Sequence, residues 1–419
     1  MPLKLGSAED HRTTQIRPKK EEEDDDEEEP SVVVLQLQHK KILAGLAGDD
    51  AARTEVPAIA AKPKYPQSGS VDYYVGSDAT SISNRYRGQF TWSHPISDDG
   101  HINFDGGFIA LLRNTFYCEL RVEPKNCYCC IVLDPATSLA TKLKIINTLF
   151  AEPFSVRGIR FVSSTFASML SSGFDSGIVV NIDDNRTTCT AFYQSCRVEH
   201  SFTECTSLNN MCLKYSWKAH LGASTGRYPS DTDLIPIEED IFTVGFVAEN
   251  YEHEVRRFLD RPGETAKRYE FPDGRTIYIG IEQFRIPEVI FCPARHRQYD
   301  AEPLPEVMNR CFNKLDPDLL SEILLGPTCG IALSGNVAKL KGIAPRLKLE
   351  IAASLAKRKD TASRVHVVAT PVGNEWVGGS ILASMEKTLW LLSDGDEDKD
   401  VESAEVRNSF IERTIRDWP

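Results

Sequence analysis

Apolar and polar positions fall into blocks along this chain, and the block at residues 31–50, SVVVLQLQHKKILAGLAGDD, is the sharpest. Val32, Val33, Val34 and Leu35 make a β-branched apolar run. A polar interruption covers residues 36–41, and a second apolar run at 42–46 closes on Gly48-Asp49-Asp50. That pattern predicts strand, turn and strand, a hairpin opening the folded part of the chain. Residues 51–70 read as loop with at most short strands, and 73–91 contain a turn at Arg87-Gly88. Phe108, Leu111 and Leu112 space residues 105–116 as an amphipathic helix, and 127–133 read as a buried strand. In 136–150, Leu139, Leu143, Ile146, Leu149 and Phe150 share one helical face. Residues 161–172 read as a second helix, rich in small side chains and ended by Gly173. A strand at 177–180 then leads into Asn181-Ile182-Asp183-Asp184-Asn185.

The second half repeats this grammar. A turn at 271–274 precedes a strand at 276–279 and a proline loop at Ile286-Pro287. A strand at 330–333 runs into Ser334-Gly335, a helix at 340–355 and a strand at 365–369. Residues 376–384 read as a turn whose glycine pair enters a helix. Strands followed by helices in two halves predict an α/β protein of two similarly built domains, with the cleft between them as the default ligand site.

Composition narrows the class. The 419 residues are 41% hydrophobic and 26% charged, as expected of a soluble globular protein with room for two or more domains. No apolar run approaches the roughly 20 residues needed to cross a bilayer, and the first residues have no apolar core of a secretory signal. The expectation is a cytosolic or nuclear chain with no membrane partner. Eleven cysteines fit that compartment. Cys127, Cys129 and Cys130 sit close enough to suggest zinc, but further ligands at regular spacing are missing nearby, so a reduced, buried strand is the expectation. The net charge is −13, and residues 1–30 hold 11 acidic against 5 basic residues. An acidic body argues against nucleic acid as a partner. The acidic run at 21–29 is too repulsive to fold alone; it reads as a solvated tail, with contact to a basic partner surface as the alternative.

Several blocks resemble actin and the actin-related proteins. The strongest is Trp376-Val377-Gly378-Gly379-Ser380-Ile381-Leu382-Ala383-Ser384. Ala44-Gly45-Leu46-Ala47-Gly48-Asp49-Asp50, Asp72-Tyr73-Tyr74-Val75-Gly76 and Thr115-Phe116-Tyr117-Cys118-Glu119-Leu120-Arg121-Val122 follow the same family. So do Tyr269-Glu270-Phe271-Pro272-Asp273-Gly274 and Phe284-Arg285-Ile286-Pro287-Glu288. The resemblance implies the actin/Hsp70/hexokinase superfamily fold: two related α/β domains, each with a smaller subdomain, clasping ATP and a divalent cation in a central cleft. On that pattern residues 1–30 are a disordered tail. Subdomain 1 takes 31–57, 95–171 and 366–419; subdomain 2 takes 58–94. Subdomain 3 takes 172–204 and 297–365, and a divergent subdomain 4 takes 205–296.

The same alignment implies a degenerate nucleotide site. The family's first phosphate loop, Asp-Asn-Gly-Ser-Gly, falls on Gln36-Leu37-Gln38-His39-Lys40, and its second, Asp-Ser-Gly-Asp-Gly, on Asn181-Ile182-Asp183-Asp184-Asn185. All four loop glycines are gone, and glycine is what lets backbone N–H groups crowd a phosphate. The residues that position the attacking water become Ser164 and Thr188. The adenine-side Lys-Glu pair becomes Ile241 and Phe242, and Gly-Gly-Thr-Thr becomes Gly335-Asn336-Val337-Ala338. The expectation is no ATP hydrolysis, no catalytic residue, no cofactor and no metal. Should ATP with Mg²⁺ bind after all, Gln38, His39, Lys40, Asp183, Asp184, Ser334 and Gly335 would meet it. Alternatively, His39, Lys40 and Lys41 pair with Asp183 and Asp184 as an internal clamp.

The loop at 62–71 is shorter and more polar than actin's inserting loop, and 205–240 departs from the family, so filament assembly is not expected. Met169, Leu170 and Trp376 flank the groove where actins take partner helices. The resulting expectation is a non-catalytic actin-related structural subunit of a cytoskeletal assembly. It would use that groove and subdomain 4, with dynein subunits of a cilium or flagellum, a dynactin-like end complex or conventional actin as partners. The alternatives are an ATP-binding, filament-forming actin and a nuclear subunit of a chromatin remodeller. Residues 406–415 read as one amphipathic helix in a longer tail.

Overall fold

The computed structural model describes residues 30–38, 41–65, 72–96, 101–183, 186–209, 213, 216–217, 244–261, 263, 266–270, 276–295, 301–355, 365–369, 374–385 and 390–392. The tail at 1–29, His39, Lys40, Asp184, Ile241, Phe242 and the C-terminal stretch beyond 392 lie outside them.

The apolar hairpin builds the first sheet. Strand β1 (Ser31–Gln38) pairs antiparallel with β2 (Lys41–Leu46), which pairs with β3 (Thr54–Pro57). The register Gln38↔Lys41 confines the turn to two residues, so Gln36, Leu37 and Gln38 continue the strand that the sequence pattern ends at residue 35. Polarity alone hides this, because Gln36 is only 2% exposed and occupies an inward position among apolar neighbours. Strands β4 (Ala60–Pro63), β5 (Tyr74–Val75) and β6 (Phe90–Ser93) form a small separate sheet in the order β5-β4-β6. The helix Gly76–Tyr86 lies between its last two strands, where the sequence pattern gives only a turn. Strands β7 (Cys127–Leu133) and β8 (Gly158–Ser163) then add to the first sheet in parallel, through the helix Leu139–Phe150, whose Ser138 side chain caps the Thr141 N–H.

The second sheet follows the same plan. Strand β9 (Ser176–Ile182) pairs antiparallel with β10 (Thr187–Tyr193), and β11 (Cys196–Arg197) and β12 (Thr203–Cys205) pair with β10. A hairpin, β13 (Lys267–Glu270) with β14 (Thr276–Ile279), stands apart as a two-stranded sheet. Strands β15 (Cys329–Ser334) and β16 (Val367–Ala369) add in parallel to β9, joined by the helix Ile343–Leu355. Strand β17 (Leu391–Leu392) returns to the edge of the first sheet beside β8. Each large sheet is thus an antiparallel hairpin followed by two parallel strands. This bears out the α/β architecture of two similarly built halves.

Three clusters of buried apolar side chains hold the fold. One fills the first half around Phe108, Phe116 and Phe154, and one fills the second around Ile331, Leu347 and Met308. The third joins them: Val34 and Val132 from the first sheet meet Val179 and Ala332 from the second, with Phe166, Met169 and Trp376 between. At roughly 1.5–3 kcal/mol per fully buried large apolar side chain, this shared core fastens the halves at the level of the sheets.

Two helices make that junction, and both depart from the sequence pattern. Residues 161–163 belong to β8, and the helix starts only at Ser164, with Ser163 capping the Phe166 N–H at 3.2 Å. The glycine pair does not form a turn. It sits inside the helix Asn374–Ala383, because that helix crosses Ser164–Ser171 at backbone contact: a Cβ on Gly378 would lie 1.9 Å from the Ala167 oxygen. Only glycine permits that approach. It also closes over Met169 and Trp376, both 0% exposed. Their expected place on an open groove is therefore corrected: they are interior packing, and of the three only Leu170 stays half-buried.

Candidate functional site

The carboxyl ends of β1, β7, β9 and β15 and the start of the helix Asn374–Ala383 bring polar groups together at the junction of the halves. The carboxyl ends of parallel strands are where open α/β sheets bind ligands.

From β1, the side-chain amides of Gln36 and Gln38 point the same way, two residues apart. Both donate from Nε2 to Oε2 of Glu375, Gln38 across 3.4 Å and Gln36 by the shorter contact. Glu375 stands in the first turn of its helix, where the dipole favours a carboxylate. From β9, the Asn181 amide donates to Asp183 Oδ2 at 2.7 Å, and the Ser334 hydroxyl on β15 donates to Asn181 Oδ1 at 3.1 Å. From the end of β7, Asp134 accepts from Arg186 Nη2, and the other arm of Arg186 reaches Glu204 at 3.2 Å. That guanidinium ties the first sheet to the β9–β10 turn.

The electrostatics are those of a crowded acidic site. Glu375 is half-buried, and burial first, then the charge of Asp183, pushes its carboxyl from the ordinary 4.5 up to about 8; the Gln36 and Gln38 amides oppose this, and Asp134 adds to it. For Arg186, burial works against the charge, but Asp134 and Glu204 outweigh it and hold the guanidinium above its usual range. Gln36 Oε1 is buried with no hydrogen-bond partner among the described residues.

The structure therefore brings together Gln38, Asp183, Ser334 and Gly335 of the sequence-derived set, while His39, Lys40 and Asp184 lie outside the described residues. Gly335 has a local reason to persist: its φ is +89°, and a Cβ there would lie 2.2 Å from the Ile182 oxygen. Its neighbours Val337 and Ala338 are buried in the short helix Asn336–Lys339. Ser164 is buried at the start of its helix. Thr188 is buried opposite Asn181, its hydroxyl without a hydrogen-bond partner among the described residues. Of the tight cysteine group, Cys127, Cys129 and Cys130 are buried on β7, and burial pushes all three thiols upward. Glu375 is the residue that motif alignment missed. The signal was present, as an acidic residue one position before the Trp-Val-Gly-Gly-Ser block, but its meaning depends on the helix starting at Asn374 and aiming at the hairpin.

Among the described residues no helix is long and apolar enough to cross a membrane. A family model described as Actin matches residues 27–224 and 236–393. The resemblance implies phosphate groups at the two hairpin turns, and the described residues flanking those turns include Gln36, Gln38 and Asp183. The side-chain amides of Gln36 and Gln38 on β1 are engaged by Glu375, and Asp183 is a further acid whose charge acts on Glu375, a described set that does not suit an anion.

Proposed function

Since the chain belongs to the actin family, we propose that it is a non-catalytic member, a structural subunit of a larger cytoskeletal assembly that keeps its two halves closed without nucleotide. One observation carries this reading: Glu375 occupies the amide donors of Gln36 and Gln38 at the strand end where the family's first phosphate loop lies. A phosphate entering there would displace the Glu375 carboxyl group from its two amide donors, in a site whose acidity Asp183 already raises. The shared core around Trp376 supplies cohesion that does not depend on a ligand.

The partner surfaces under this proposal are the divergent 205–296 region and the outer rim of the groove at Leu170. The partners are protein subunits of dynein-associated or dynactin-like complexes in the cytoplasm or an axoneme. The test is direct. Purified protein equilibrated with ATP and Mg²⁺, then desalted and extracted, carries no stoichiometric nucleotide and does not pellet under salt conditions that polymerise actin. Stoichiometric nucleotide, or filaments in the pellet, would overturn the reading in favour of an ATP-binding, filament-forming actin.

A further inference from the structure

Strand β7 of the first sheet ends at Leu133, and Asp134 follows it. The turn after the strand fixes this carboxylate: its Oδ1 accepts the Ala136 N–H at 2.7 Å, and the Thr137 N–H closes on the Asp134 main-chain oxygen at 2.9 Å. Strand β10 of the second sheet starts at Thr187, so Arg186 stands at its entrance. Nη2 of Arg186 donates to Oδ1 of Asp134, and Nη1 donates to Oε1 of Glu204 at 3.2 Å. Glu204 is anchored in its own half. It lies on β12 opposite Thr188 of β10, and its main-chain oxygen accepts from Arg310 of the helix Leu304–Asn313 at 3.0 Å. A turn of one half and a strand of the other therefore hold the two arms of one guanidinium. The arginine side chain is 25% exposed, against 37% for Asp134 and 38% for Glu204. Burial works against the charge of Arg186, and the two carboxylates outweigh it. The group is buried enough to bind and open enough for dissolved ions to reach it.

We propose that Arg186 is an electrostatic latch that sets how far the two halves close at their strand ends, and that ionic strength tunes it. The shared core around Trp376 joins the halves at the level of the sheets. The latch acts beyond that core, where β7 gives way to Asp134 and β10 begins. When the Asp134 bond breaks, Arg186 stays with Glu204 on its own half and Asp134 keeps its turn on the other. Each half remains intact while the strand ends part, and the shared core serves as the hinge. The latch goes beyond the nucleotide-free reading above, because it follows from these ion pairs whether or not a nucleotide binds.

Small-angle X-ray scattering of the full-length protein reads the separation of the halves, and hydrogen exchange of β7, β10 and β12 checks that each half stays folded. At low salt, Arg186→Gln and Asp134→Asn both give a larger radius of gyration than the wild type, and the double variant is no larger than either single one. Glu204→Gln removes the arm that stays within one half, so it remains as compact as the wild type. Every variant carries the same acidic run at 21–29, so the response of that run to salt cancels in the comparison. The difference between wild type and Arg186→Gln shrinks as salt rises from about 0.1 M to about 1 M, where the screening length falls from about 10 Å to about 3 Å. Equal radii for wild type and Arg186→Gln at low salt, a difference that high salt leaves unchanged, or a Glu204→Gln protein as expanded as Arg186→Gln each overturns the latch. If Arg186→Gln does not fold, Asp134→Asn, which leaves Arg186 its bond to Glu204, decides alone. Nucleotide content measured on the same samples decides the proposed function, and the scattering comparison decides the latch.

Discussion

The indole Nε1 of Trp376 donates to the main-chain oxygen of Val34 across 2.9 Å, fixing the helix Asn374–Ala383 onto the central strand of the first sheet. The ring is fully buried, and the side chain also fills the cluster shared with the second sheet. It therefore supports both halves and the position of its neighbour Glu375. Trp376→Ala removes the ring and the bond together, and about 3–5 kcal/mol of stability should be lost in urea denaturation. Trp376→Phe keeps most of the packing and loses only the bond to the Val34 oxygen, which stays in the β1–β2 ladder opposite Gly45, so about 0.5–1.5 kcal/mol is expected. Equal losses for the two variants would show that the bond adds nothing beyond packing.

Gly378 tests how closely the two junction helices approach. A methyl group there would lie 1.9 Å from the Ala167 oxygen and 2.5 Å from its carbonyl carbon, both main-chain atoms that cannot rotate away. Gly378→Ala should cost about 3 kcal/mol or more, at the upper end for overpacking. Gly88→Ala is the control, since a Cβ at that position meets nothing within 4 Å. Thermal denaturation of the two variants side by side checks the contrast, and a Gly378→Ala protein as stable as the Gly88→Ala control would refute helix contact at this spacing.

These two residues also show what was legible in the sequence. Hydrophobic periodicity located the strands that make the parallel core, because β-branched runs such as Val32 to Leu35 and the cysteine-rich run on β7 can bury both faces. It misplaced the glycine pair, because glycine reads locally as a turn, and only the crossing helix makes it a contact surface. The family resemblance points to the β1–β2 and β9–β10 hairpins, whose ends the fold brings to the junction of the halves. It did not supply Glu375, because a residue 339 positions from Gln36 in sequence becomes its partner only through the tertiary fold. Met169 and Trp376 were placed near the right junction but on the wrong side of its surface, since an apolar residue beside a groove and one beneath it share the same pattern.

Thiol reactivity offers a separate check on β7. Burial raises Cys127 to about 11 and Cys130 to about 12, and it lifts the fully buried Cys129 well above the usual thiol value. The thiolate is the reactive form, so these three should resist alkylation in native protein at neutral pH. Cys118 and Cys196 are exposed and should be modified first. Mass mapping after a short iodoacetamide pulse, with and without denaturant, reads this out. Rapid native labelling of Cys129 would contradict its place in the sheet.

Glu288 carries the last prediction. Its side chain is 1% exposed, with Arg346 Nη2 at 3.4 Å and Arg295 Nε at 3.9 Å as its cationic neighbours. Burial pushes its carboxyl above the ordinary 4.5, and Arg346, then Arg295, oppose that rise. Arg346 also donates to the Ala248 oxygen at 2.9 Å and to Glu350 at 2.7 Å, linking the helix Ile343–Leu355 to the segment that precedes the helix Tyr251–Asp260. Arg346→Met leaves a buried carboxylate without its nearest cation, which should cost about 3–5 kcal/mol near neutral pH. A raised carboxyl contributes stability that is full below the ordinary value and lost as pH rises through the raised one. Removing Arg346 raises Glu288 further, so the variant should lose stability more steeply than the wild type as pH rises from acid to neutral. Its deficit should shrink as the solution is acidified, and Glu288→Gln placed on top should recover much of it. Urea denaturation of the single and double variants at both ends of that range checks this, and a deficit independent of pH would mean that Arg346 acts through its main-chain bonds and not through the charge of Glu288.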